Sequence, residues 1–347
     1  MHGSLLKVFL LICITFAVGA ALWMWLGEST PAVQTVGLSQ VAKPIVQTSL
    51  LHHVGSQVSV PPLAAVHKPS APPPPPTAAA SAPDWPNIPE TIRLICGQDA
   101  SKDYTARITA AHQLGKNLSP AEVQALCWLL HQKCASQGDL SQESFAALKN
   151  DILDALIRQQ PMPPDLGKEI TGMYRDRATD PLWRDYCVQH FAAYYGRAWP
   201  AGAVTDDPGR KDVLAAFDEA LLEKDNGLAG TALLGLYSLA GKCPEAATVG
   251  DKALAMAKDG ACAAQTRVTA VAICGLTGKV EILPEARILA QTAEVLPLRL
   301  ASIATIGSLG NAQDKELLAG LRAGTDERLY KAVDAALKKL NQRTPGS

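Results

Sequence analysis

From residue 85 to residue 343, apolar side chains recur at three- and four-residue intervals, and no stretch alternates as a strand would. That spacing gathers them on one face of an α-helix. The starts are marked. Ser119-Pro120-Ala121-Glu122 reads as a capping box with proline at the first helical position. Asp180-Pro181 repeats the cap-then-proline logic, and Ser141 opens a stretch ending at Gln159. Gly115, Gly196, Gly241, Gly278 and Gly310 each follow an apolar run. They are expected to stop their helices in the left-handed conformation that glycine adopts without strain.

Aligned on those glycines, the runs repeat one another. RVTAVAICGLTG spans Arg267 to Gly278 and RLASIATIGSLG spans Arg299 to Gly310. YTARITAAHQLG ends at Gly115, GTALLGLYSLAG ends at Gly241, and RLYKAVDAALKKLN begins at Arg328 without a terminal glycine. Shorter apolar helices lie between the late runs: Ala247–Ala257, Glu285–Ala293 and Lys315–Leu321. The repeating unit is therefore a helix pair. One pair cannot cover its own apolar face, so pairs must stack. An interior glycine costs about 1 kcal/mol of helix propensity. The recurrence of Gly275 and Gly307 thus predicts a neighbouring helix crossing at each. The arginine that opens the runs has two readings, a bond to a neighbouring carboxylate or a place on the exposed face.

This pattern resembles the HEAT-type (armadillo-like) helical repeat family. The best stretch is 296–340, where Arg299, Ala304 and Gly310 are similar to the family's helix with an opening Arg, a central Ala and a closing Gly, followed by a shorter Leu-rich one. Arg267, Ala272 and Gly278 match it again, whereas 141–227 departs from it with longer helices and irregular spacing. The Trp, Gly-Tyr and closing Pro of tetratricopeptide repeats are absent. The resemblance implies an all-α fold, an α-solenoid of stacked antiparallel helix pairs over 85–343, and a concave surface suited to a protein or peptide partner.

The pattern before residue 85 is different. Residues 8–26 carry no Asp, Glu, Lys, Arg or His, and a helix of that length spans roughly 30 Å of hydrocarbon. A cleavable leader is the competing reading. The sequence Leu22-Trp23-Met24-Trp25-Leu26 after the small-residue cluster favours an uncleaved signal-anchor within 1–27. With Lys7 on the near side and Glu28 beyond, the positive-inside rule places the N-terminus in the cytoplasm. The expectation is a single-pass protein of the cell membrane with its bulk extracytoplasmic, periplasmic in a Gram-negative cell. Residues 28–84 hold the proline run Pro72–Pro76 and few charges, a composition that reads as a disordered Pro/Ala-rich linker.

Composition narrows the chemistry. The chain is 48% hydrophobic but only 5% aromatic, which suits helices packed through small side chains. Its net charge of -1 supplies no basic excess for a phosphate backbone, so nucleic acid is not an expected partner. Cys127, His131 and Cys134 share one helical face but also extend an ordinary core stripe, and no second ligand pair accompanies them. No metal or other cofactor is implied. An oxidising compartment allows disulfides; the candidates are Cys243 with Cys274, or Cys96 with Cys134. His112, His131 and His190 are isolated, and neither a G-x-S-x-G elbow nor a Gly-rich phosphate loop occurs. No catalytic residue is assigned and an enzyme is the third reading.

One segment is rich in rings. Between Pro181 and Pro200 lie Trp183, Tyr186, Tyr194 and Tyr195, interleaved with Arg184, His190 and Arg197. Trp, Tyr and Arg dominate interface hot spots, so these residues are the candidate binding patch, with packing inside the array as the alternative. The leading function is a membrane-tethered scaffold for a protein or peptide partner. The runner-up is a structural or assembly factor of the envelope with no discrete ligand site.

Overall fold

The computed structural model describes residues 85, 87–97, 103–134, 140–200, 206–322 and 326–343. These form fourteen α-helices and two short 3-10 turns, and no strand occurs among the described residues. In chain order the helices are α1 (Glu90–Ile95), α2 (Tyr104–His112), α3 (Pro120–Leu130), α4 (Gln142–Ile157), α5 (Leu166–Arg175), α6 (Pro181–Ala198) and α7 (Pro208–Leu221). They continue as α8 (Leu228–Ser238), α9 (Val249–Lys258), α10 (Ala264–Leu276), α11 (Leu283–Thr292), α12 (Leu296–Leu309), α13 (Asp314–Arg322) and α14 (Glu327–Arg343).

The starts follow the local chemistry. Ser119 and Glu122 close a full capping box ahead of α3. Ser141, Asp180 and Asp207 each accept a backbone N–H of the helix they precede. The stops are more varied. Gly241 and Gly278 take the left-handed conformation, with φ of 78° and 72°. Gly310 instead has φ -64° and ψ 179°, an extended exit from α12. Gly196 lies inside α6, which runs on to Ala198. Its expected stop is corrected: the helix continues through Arg197 and Ala198, and Trp199 beyond it packs on Tyr194 and Tyr195.

Each odd-numbered helix packs on the even-numbered helix that follows it. The even-numbered helices also pack on one another in sequence, from α2 through α4, α6, α8, α10 and α12 to α14. The interior glycines sit at those crossings. A Cβ on Gly275 of α10 would lie 2.9 Å from Thr305 Oγ1 of α12. A Cβ on Gly307 of α12 would lie 2.7 Å from Ala336 Cα of α14. At Gly307 the backbone itself bars a side chain, and at Gly275 the Thr305 hydroxyl would have to leave its bond to the Val271 carbonyl, which accounts for the helix-propensity cost at both.

The recurring arginine acts at the pair level. Arg107, Arg184, Arg267 and Arg299 are each the fourth residue of the second helix in a pair. Their Nε atoms donate to carbonyls in the last turn of the first helix: Ile95 (3.0 Å), Tyr174 (2.7 Å), Ala257 (3.2 Å) and Ala290 (3.2 Å). A helix leaves its last carbonyls unbonded, and a guanidinium satisfies one of them while favouring the negative end of the dipole. Two of these arginines also bind a carboxylate of the next pair, Arg184 to Glu223 at 2.6 Å and Arg267 to Glu285 at 2.8 Å. The position thus closes a pair and, at two sites, links it to its neighbour.

Two expectations change. The single-pass membrane location is corrected: among the described residues no helix is long and apolar enough to cross a membrane. The segment on which that expectation rested, 8–26, lies outside the described residues, as does the linker 28–84. The expected disulfides are not formed either, and Cys96, Cys134, Cys243 and Cys274 are all free thiols. Cys96 Sγ is directed at the Ala125 carbonyl (3.7 Å) and Cys134 Sγ at the Leu140 carbonyl (3.1 Å). Each thiol of that candidate pair is turned toward a carbonyl rather than toward its expected partner.

Candidate functional site

The ring-rich helix α6 lies in the middle of the even-numbered row, against α4, α5, α7 and α8. Trp183, Tyr194 and Tyr195 are buried there. Phe191 meets Tyr174 and Phe217 edge-on at 5.6 and 5.2 Å between ring centroids, and Tyr194 meets Trp199 at 5.5 Å. Arg184, also buried, is the cap described above. Arg197 donates to the Arg158 and Gln159 carbonyls that follow α4. His190 is bonded through Nε2 to Asn150 Oδ1 at 3.0 Å, and burial pulls its pKa down to about 4, so it is neutral near pH 7. Tyr186 and His190 are partly exposed, and Arg197 is exposed. The expected binding patch is corrected in its larger part: Trp183, Arg184, Tyr194 and Tyr195 fill space between helices, and only its edge at Tyr186, His190 and Arg197 reaches the surface.

The structure gathers a different set of groups. Three helix ends converge beside α4, namely the C-termini of α3 and α5 and the N-terminus of α6. Between them lies a cleft of about 350 Å³. Phe145, Met173 and Trp183 give it an apolar wall, and His131, Lys133, Asp176 and Asp180 a polar one. Asp176 accepts from Ala178 N (3.0 Å) and Thr179 Oγ1 (2.8 Å), which holds its carboxyl below the usual range. Asp180 accepts from Leu182 N at 3.1 Å as the cap of α6.

Lys149 of α4 reaches into this cleft and is only 6% exposed. Its Nζ donates to the Gln132 carbonyl at 2.7 Å, just past the end of α3. It stands 4.7 Å from the Phe145 ring centroid and 5.1 Å from that of Trp183. The α3–α4 pair has Phe145 where four other pairs have arginine, and Lys149, one turn later, takes over the capping bond. Among the described residues no carboxylate lies within ion-pair distance of it. Removal from water dominates its electrostatics and draws its pKa down to about 8.

The remaining sequence candidates do not assemble with it into a constellation. His131 lines the cleft but is bonded to Glu169 of α5. Cys127 is half-buried in the core, with its thiol pushed up to about 11 by burial and by Glu169. His112 pairs with Asp151 across α2 and α4 at 2.8 Å. Lys149 was not singled out from sequence, because it opens the polar run Lys149-Asn150-Asp151 and reads as part of a solvated turn of the helix. The available signal was its register: it falls among Leu148, Ile152 and Leu153, on the face that packs inward.

No family model matches the chain, and no curated protein matches it.

Proposed function

We propose that residues 85–343 form a HEAT-like α-solenoid that serves as a protein-interaction scaffold, with the partly exposed side of its even-numbered helices, most open at α6, as the docking surface. The observation that carries this reading is the uninterrupted packing of the even-numbered helices from α2 to α14. Pairs that contact mainly their neighbours build a long surface from short elements. The second helices keep at most a partly exposed stripe, and α12 has no fully exposed residue. In α6 this stripe includes Gln189 and Ala193, and in α8 it includes Ser238. Bonds that cross from helix to helix hold the stripes in register: Asp151 to His112, Asn150 to His190, and Asp185 to Thr231 at 2.7 Å. The balanced charge of the chain favours a protein or peptide over nucleic acid.

Site-specific photocrosslinking in cells tests the reading. A photoreactive residue at Gln189 or Ala193 is expected to trap a discrete partner protein. The same residue at Ala215 of α7 or Ala255 of α9, exposed positions on first helices, is expected to trap much less. Equal trapping from both faces, or none from either, contradicts it.

A further inference from the structure

We propose that Lys149 is a reactive amine that forms a reversible imine with small uncharged aldehydes entering the cleft between α3, α5 and α6. This goes beyond the scaffold reading and does not depend on it.

The geometry carries the inference. A buried ammonium is normally held by a carboxylate, because its desolvation is otherwise uncompensated. Lys149 has a single hydrogen bond, to the Gln132 carbonyl, and two ring faces. One bond leaves two positions on the nitrogen, and the cleft lies beside them. A lysine desolvated in an apolar pocket is the arrangement that makes an amine nucleophilic near neutral pH. Its lowered pKa is in line with this. The ionisable groups around it are Asp180 and the thiols of Cys134 and Cys187, with His131, Lys133 and Asp176 elsewhere in the cleft lining, and none makes an ion pair with it.

The balance of the step is simple. The free amine attacks the carbonyl carbon, forming a C–N bond. The two amine protons and the carbonyl oxygen leave as one water, giving Lys–N=CH–R. No oxidant or reductant is needed.

The walls select the ligand. Phe145, Met173 and Trp183 suit an apolar substituent, and about 350 Å³ is room for a small molecule. Asp176 and Asp180 in the lining outnumber Lys133 there and disfavour an anionic carbonyl compound. Benzaldehyde therefore represents the preferred class, and glyoxylate the disfavoured one.

The test is reductive trapping on the full chain with benzaldehyde and cyanoborohydride, followed by peptide mapping. Lys149 is expected to label roughly tenfold faster at pH 7.5 than exposed lysines such as Lys211 and Lys331. Its rate should rise through a midpoint at about 8, and glyoxylate should label it more slowly. Lys149→Arg, which keeps a donor for the Gln132 carbonyl, is expected to lose the label at that site alone. Because the ranking of lysines is read on the unmodified protein, a misfolded variant does not obscure the result. Labelling of Lys149 no faster than the exposed lysines overturns the proposal. Preferential labelling by glyoxylate overturns the assignment of an uncharged ligand.

Discussion

Arg184 Nε donates to the Tyr174 carbonyl at 2.7 Å while its terminal nitrogen holds Glu223 at 2.6 Å. One side chain thus closes the α5–α6 pair and joins it to the pair that follows. Both partners are well covered, the arginine side chain at 8% and the glutamate at 12% exposure. Arg184→Met leaves a buried carboxylate and a last-turn carbonyl without that donor. Glu223 keeps Arg177 and the Tyr174 hydroxyl, so the expected loss is about 1–3 kcal/mol, read from denaturant midpoints. Arg158→Ala, which breaks the exposed pair with Asp154, is expected to cost no more than about 0.5 kcal/mol.

The interior glycines predict opposite signs at two helical positions. Gly307→Ala places its Cβ against the backbone of Ala336, and overpacking of that kind costs about 1–3 kcal/mol. Gly320 of α13 has nothing within 4 Å of an added Cβ. Gly320→Ala should therefore stabilise by about 0.5–1 kcal/mol through helix propensity and the unfolded chain. Thermal melts of the two variants check both signs. A Gly307→Ala variant that melts above the parent contradicts the close crossing.

His190 predicts a pH dependence. Its pKa is drawn down to about 4 by burial, against the influence of Asp154 and the bond to Asn150. The unfolded chain, with an ordinary histidine near 6.5, binds a proton that the folded chain refuses. Stability therefore falls as pH drops from about 6.5 towards 4. His190→Gln should flatten that limb in urea titrations. The carboxyls of Asp314 and Glu223 are held low by Arg287 and by Arg184, despite their burial. Their contribution is present above the unfolded carboxylate range and is lost at lower pH, so the two effects separate along the titration.

The cysteines predict slow chemistry. Burial pushes the Cys96 and Cys274 thiols up to about 12 and raises that of Cys187 as well. Since the thiolate is the nucleophile, these three should resist alkylation in the native protein and react fully once unfolded. Peptide mapping after brief iodoacetamide exposure checks this. A disulfide-linked peptide containing Cys243 and Cys274 contradicts the free thiols.

Much of the helical frame was legible because it is written locally. The capping box at Ser119, the caps at Ser141 and Asp180, and the small residues at Gly275 and Gly307 each act within a turn or at one crossing. The recurring arginine was visible as a repeat, but its role was not. Arg267 and the Ala257 carbonyl it caps belong to different helices, and only their packing brings the two together. The ring-rich stretch misled for a related reason. Trp183 and Tyr195 have the composition of an interface, yet α6 is covered by four neighbours, and composition does not reveal which helix is central. The cleft was illegible because Phe145, Met173 and Trp183 come from three helices. Nothing in their spacing along the chain announces that the helix ends meet.

The stacked-pair account has one direct test, hydrogen exchange followed by mass spectrometry on Gly307→Leu. In an array held by neighbouring pairs, forcing α12 away from α14 should strip protection from α11–α14. Helices α2–α8 should keep theirs, since α12 packs on α10, α11 and α14. A uniform loss of protection from α2 to α14 contradicts the account.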